Sequence, residues 1–140
     1  STHPRTKERL SKININKNLS NKIKFLKPFG FFDYINLQMN SFCVVSDSGT
    51  ITEESSILGF PAITIRNMHE RPEGMDEGIV IMSGLKVSNV IHSIKITVDT
   101  FKRKLRMQPV KDYEAKHPSI KIVKAIYSYI EYINKNVWKK

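Results

Sequence analysis

Residues 42–65 constrain the fold of this chain more than any other stretch. Phe42, Cys43, Val44 and Val45 form a continuous apolar run of the kind that fills a buried parallel strand. A polar loop, SDSGT, follows at once. Residues 51–58 then carry helix-compatible spacing ended by Gly59, with Pro61 just beyond. Residues 62–65, AITI, supply a second apolar run. Strand, tight loop, helix and strand in so short a span is a βαβ unit, whose crossover requires a parallel sheet covered by helices.

The flanking segments extend this α/β reading. Residues 79–82 predict another strand and residues 87–106 another helix. Residues 119–138 place Ile122, Ala125, Ile126, Tyr129, Ile130 and Ile133 at helical spacing, an amphipathic helix that needs a surface to cover. Before residue 42, the spacing of Leu10 and Ile13 predicts a helix over residues 6–15 that ends near Asn16, where asparagines compete with the helical backbone. Residues 23–26 predict a short strand closed by Pro28 and Gly30, and residues 31–39 a short helix. The chain opens on STHPRT with no apolar run before it, so the strand that would lead to His3 is expected to lie outside the sequence. Residues 1–140 are accordingly expected to form one domain of a longer protein, with an amphipathic helix at 118–138.

The 140 residues carry a formal net charge of +10 and a pI near 9.8, which invites a nucleic-acid reading. The lysines argue against it, because they are strewn through residues 7–27, 95–111 and 116–140 among Asn and Ile rather than interleaved with aromatics. A solvated basic surface fits them best, a nucleotide or other anionic ligand comes second and DNA or RNA third. The single cysteine, Cys43, allows no disulfide framework and suits a reducing cytosol. No run of 18 or more apolar residues and no signal-peptide pattern points to a membrane or to secretion. His3, His69, His92 and His117 form no pattern with metal-ligand spacing, so a zinc site is not indicated.

Chemistry concentrates in Ser46 to Gly59, SDSGTITEESSILG. Thr50 and Glu53 fit a capping box, which gives Glu53 a structural duty and leaves Glu54 to accept hydrogen bonds from a ligand's vicinal hydroxyls. Backbone N–H groups around Ser48, Gly49 and Thr50, at the positive end of a helix dipole, suit a phosphate. Ligands of open α/β sheets bind at the carboxyl ends of the strands, where this loop would sit. The same pattern also serves an ordinary capped helix, and both readings stay open on local spacing alone. The loop at residues 66–74, RNMHERPEG, carries two arginines, a histidine and two carboxylates after a strand. An anion-binding rim and a self-paired surface loop, Arg71 with Glu70 or Glu73, both explain it. Phe29, Phe31, Phe32 and Tyr34 crowd the segment after Lys27, and such aromatics serve a core or, facing outward, a nucleobase.

Taken together, SDSGTITEESSILGFPAITIRNMHERPEG resembles the signature of the non-hydrolysing UDP-N-acetylglucosamine 2-epimerases, whose usual form has DSGG, a double Glu, LGxP and then R…ERPE. The resemblance runs from STHPRT through at least Gly84. STHPRT with SDSGTITEE is similar to the branch that acts on 6-deoxy UDP-sugars and converts a UDP-talosamine derivative to UDP-N-acetylfucosamine.

The resemblance implies a Rossmann-like parallel sheet with helices on both faces, as the carboxyl-terminal, UDP-binding domain of a GT-B-like enzyme. It implies diphosphate binding at Ser48, Gly49 and Thr50, ribose binding through Glu54, Arg71 lining the substrate cleft and His3 as the catalytic cleft histidine. By ungapped counting back from Ser48, the uracil-side aromatic falls at Tyr34. The reaction implied is inversion at C2 by elimination and re-addition of UDP, with no metal or nicotinamide cofactor. The acid and base carboxylates would belong to an amino-terminal domain outside this sequence, so the chain alone would bind UDP weakly and turn over nothing. A cytoplasmic homodimer of the full-length enzyme is implied as well, with a UDP-sugar substrate and neither nucleic-acid nor membrane partners.

Two departures stand out. Thr50 replaces the second Gly of DSGG, and Pro4 replaces the first Arg of HRRE, the position used by relatives with an activating second substrate molecule. Activation of that kind is expected to be absent. Three other readings remain at this stage: the donor domain of a GT-B glycosyltransferase, a basic nucleic-acid-binding module and a standalone UDP-sensing domain.

Overall fold

The computed structural model describes residues 1–12, 23–68, 71–105 and 107–140. They fall into two compact units, Ser1–Ser41 and Phe42–Lys140.

In the first unit, helix α1 spans Pro4–Lys12. Proline suits the first helical turn because its φ is preset and its missing N–H would have no helical partner there. The helix therefore starts two residues earlier than the apolar spacing predicts; its expected continuation to Asn16 lies outside the described residues. His3 closes the amino end, accepting the Arg5 N–H on Nδ1 at 3.3 Å and the Lys7 N–H on its carbonyl at 3.0 Å. Residues 23–26 do not form the expected strand. Leu26 accepts a backbone hydrogen bond from the Thr2 N–H at 2.8 Å, and among the described residues no neighbouring strand continues the ladder that an extended segment needs. Helix α2, Phe31–Met39, agrees with the sequence reading and starts from Gly30 in an extended conformation. Phe31 and Phe32 stand outward, edge to face at 5.5 Å.

In the second unit, strands β1 (Val44–Ser46), β2 (Ala62–Thr64) and β3 (Ile81–Met82) form a parallel sheet in the order β1-β2-β3. Val44 pairs with Ala62, and Ile63 with Ile81. Helix α3, Ile51–Leu58, makes the crossover from β1 to β2 as expected. Gly59 ends it at φ 70°, a left-handed conformation that costs a residue without Cβ little. A short helix α4, Glu73–Asp76, leads to β3, and helix α5, Val87–Lys102, follows.

Helices α3 and α5 both pack on β2, the central strand. Its neighbourhood is the core: Ile51, Phe60, Ala62 and Val80 cluster there with Val44, Leu58, Met75 and Ile79 against them. Ile51 and Ile63 are fully buried, each contributing about 1.5–3 kcal/mol by leaving water. Polar residues enter this interior by satisfying backbone: the Ser55 hydroxyl donates to the Phe60 carbonyl at 2.8 Å, and Ser56 Oγ accepts the Val110 N–H at 2.9 Å.

Helix α5 is shorter than predicted. Lys104 takes φ 57°, its N–H reaches the Phe101 carbonyl at 3.0 Å and the Leu105 N–H the Thr100 carbonyl at 3.2 Å. That pair of bonds is a Schellman stop, made here by a lysine instead of glycine. A 3-10 turn at Lys111–Glu114 touches α3, and helix α6, Pro118–Asn136, closes the chain. No residue of α6 is buried.

Candidate functional site

Three chain segments converge where β1 and β2 end. Ser46 closes β1, the loop at residues 47–50 turns the chain, and α3 begins at the buried Ile51 and Thr52. The amino end of α3 thus lies at the carboxyl edge of the sheet, as the βαβ pattern requires.

The loop is organised by its own hydroxyls. Ser46 Oγ accepts the Ser48 N–H at 3.0 Å, and Ser48 Oγ accepts the Thr50 N–H at 3.3 Å. Thr50 Oγ1 stands 3.0 Å from Ser48 Oγ and donates to Glu54 Oε1 at 2.7 Å. The expected capping box is therefore not formed. Thr50 adopts helical dihedrals, φ −78° and ψ −9°, and makes no side-chain cap. A capping side chain needs the extended backbone typical of an N-cap residue to fold back onto the first turn. The duties of the two glutamates are the reverse of the expected ones: Glu54 takes the local bond from Thr50, and Glu53 reaches across to another segment.

That segment is the loop after β2. Arg71 forms an ion pair with Glu53 Oε1 through Nη1. Glu70 itself, with His69, lies outside the described residues. Gly49 sits beneath two guanidinium groups: a Cβ added there would lie 3.5 Å from Arg66 Nη1 and 3.7 Å from Arg71 Nη2. Two cations thus face the loop at the positive end of a helix, an arrangement suited to a dianionic group. Arg66 was part of the charged loop seen in the sequence but was not singled out. Its position just past the apolar run of β2 was the signal for it.

The ERPE turn that carries Arg71 is fixed from below. Glu73 Oε1 accepts the Tyr113 hydroxyl at 2.9 Å, and Gly74 packs onto the Thr52 methyl so closely that a Cβ would overlap it. Burial, and then the hydrogen bond to the Glu73 carboxylate, push the Tyr113 phenol up to about 12. Burial also raises the half-buried Cys43 thiol to about 11.

Of the residues picked out in the sequence, Ser48, Gly49, Thr50, Glu54 and Arg71 come together in this one place. His3 and Tyr34 belong to the first unit. His3 is exposed and uses Nδ1 as an acceptor, which leaves Nε2 as the protonated nitrogen of the neutral ring. Tyr34 is half-buried in the first turns of α2. Among the described residues no cluster of three or more His, Cys, Asp or Glu is placed to hold a metal, and no helix is long and apolar enough to cross a membrane.

This arrangement has known relatives. A UDP-N-acetylglucosamine 2-epimerase of Rickettsia bellii superposes with a TM-score of 0.81 at 52% identity, over 99% of this chain and 38% of that one. The enzyme of Methanocaldococcus jannaschii, solved in complex with UDP-GlcNAc and UDP, superposes with a TM-score of 0.72 at 34% identity, over 92% of this chain and 34% of that one. In sequence, the M. jannaschii UDP-N-acetylglucosamine 2-epimerase is 37% identical over 101 residues, which is 71% of this chain and 28% of the relative. The chain thus spans about a third of the length of the proteins it matches, and its sheet is the Rossmann-like α/β layer of their GT-B-like fold. The sequence model of the UDP-N-acetylglucosamine 2-epimerase family matches residues 1–127. Through that match, and through the loop and arginines it contains, the chain belongs to the UDP-N-acetylglucosamine 2-epimerase family.

Proposed function

We propose that this chain is the UDP-binding part of a UDP-sugar 2-epimerase. The observation that carries the reading is the convergence of Arg66 and Arg71 on Gly49 at the amino end of α3, with Glu54 one turn further along. The diphosphate would lie over Ser48, Gly49 and Thr50, held by the helix end and the two guanidinium groups. Glu54 would accept hydrogen bonds from the ribose hydroxyls, and Tyr34 would face the uracil.

The reaction read from these roles is an elimination followed by an addition. A base removes the C2 proton of the sugar while the bond from C1 to the UDP oxygen breaks, giving a glycal and UDP. A proton then returns to the opposite face of C2, and UDP re-adds at C1, which inverts C2 with no net change in atoms. Charge gathers on the departing diphosphate, and preorganised donors at that place lower the barrier. Arg66, Arg71 and the α3 amino end are the donors the second unit offers, and His3 keeps the role of cleft histidine that the resemblance implies. The groups that move the C2 proton belong to the rest of the protein, so the isolated chain binds UDP and turns over nothing.

The 6-deoxy UDP-HexNAc branch is the finer assignment, supported by STHPRT and by Thr50 in place of glycine. Pro4 at the position of the activating arginine supports an enzyme without substrate activation. The full-length protein would be a cytoplasmic homodimer. Calorimetric titration of UDP into the 140-residue chain tests the reading. Saturable binding is expected, weakened by about 1–3 kcal/mol in Glu54→Ala, the usual loss for hydrogen bonds to a charged group. Equal binding of UDP by both proteins would remove Glu54 from the site, and no binding by either the chain or the full-length protein would overturn the assignment.

A further inference from the structure

We propose that the Thr50 side chain is a positioning group that aims Glu54 at the ribose, an inference that rests on the UDP-binding reading above. The backbone at Thr50 is right-handed helical and places no demand for glycine, so the hydroxyl has a role the main chain does not explain.

The hydrogen bonds around it have a fixed direction. A carboxylate only accepts, so the 2.7 Å contact makes Thr50 Oγ1 the donor to Glu54 Oε1. A hydroxyl has one proton, so at the 3.0 Å contact Thr50 must accept from Ser48. Ser48 Oγ in turn accepts the Thr50 N–H at 3.3 Å. The order is Ser48 to Thr50 to Glu54, anchored on the backbone of the loop that faces the two arginines. One end of the Glu54 carboxylate is thereby held in register with the phosphate loop. A carboxylate has roughly four acceptor positions, so a bond from Thr50 orients it without saturating it. A glycine at this position lacks that donor, and the ligand then bears more of the cost of ordering the carboxylate.

The role predicts a loss confined to the nucleoside. Thr50→Ala removes the donor to Glu54 and keeps the loop's main chain, so inorganic pyrophosphate should lose less affinity than UDP does. UDP binding should weaken about three- to tenfold, the scale of ordering one side chain on binding, and the preference for UDP over 2′-deoxy-UDP should shrink. Thr50→Ser, which keeps the hydroxyl, should stay within about twofold of wild type, since the donor is retained. In a Glu54→Ala background Thr50→Ala should have little further effect, because residues acting through one another are not additive. Calorimetry with the three ligands on the 140-residue chain reads all of this. An unchanged UDP to 2′-deoxy-UDP ratio in Thr50→Ala, or an equal loss for pyrophosphate, overturns the positioning role while UDP binding itself stands. A wild-type chain with no preference for UDP over pyrophosphate overturns the nucleotide reading, and this role falls with it.

Discussion

Tyr113 shows how much of this site depends on single polar atoms. Its phenol donates to Glu73 beside Arg71, and burial with that bond raises it from 10.0 to about 12. A proton held more tightly in the folded than in the unfolded protein stabilises the fold below the lower value and ceases to as pH rises. The stability that Tyr113 adds should be fully present below pH 10 and fade toward pH 12. Ultraviolet titration of wild type minus Tyr113→Phe isolates the ionisation of this phenol, and a difference that titrates near pH 10 instead of toward 12 would contradict the contact. At this scale the sequence was partly legible. Ser48, Gly49 and Glu54 were read correctly as neighbours because each is fixed by the turn between a strand and its helix. The partner of Glu53 was not legible, because Arg71 comes from another loop and only the folded sheet brings it near.

Among the elements, the join between α3 and α4 is the tightest. Thr52 is fully buried, and its methyl occupies the space where Gly74 would carry a Cβ. Gly74→Ala should destabilise the second unit by about 1–3 kcal/mol, the usual effect of overpacking. Adding Thr52→Ser, which removes that methyl and keeps the hydroxyl, should recover part of the loss. Chemical denaturation of the two variants decides it, and a harmless Gly74→Ala would mean the two helices sit further apart. The β1-α3-β2 unit was legible to within two residues because hydrophobic run, loop and Gly59 stop all agree. The failures lie where local pattern lacks a tertiary partner: residues 23–26 are apolar enough for a strand but form no ladder among the described residues. Helix α5 ended early for a different reason, a left-handed lysine that no glycine announced.

The molecule as a whole leaves one long surface uncovered. Ile122, Ile126 and Tyr129 of α6 are 58%, 53% and 63% exposed, on the face that the sequence marked as needing a partner. Exposed apolar patches of this kind promote association. Sedimentation of the 140-residue chain should therefore show concentration-dependent self-association, reduced in Ile126→Glu; a monomer at every concentration would show the face to be stable in water. The amphipathic pattern made the helix legible, whereas no local pattern names what covers it. A helix with its own ladder but no packed face gains little from the cooperativity of a core, and whatever covers it by association stabilises it by mass action. Loss of α6 and loss of the sheet are then separate events, one moving with protein concentration and the other not, so no single melting temperature describes this chain.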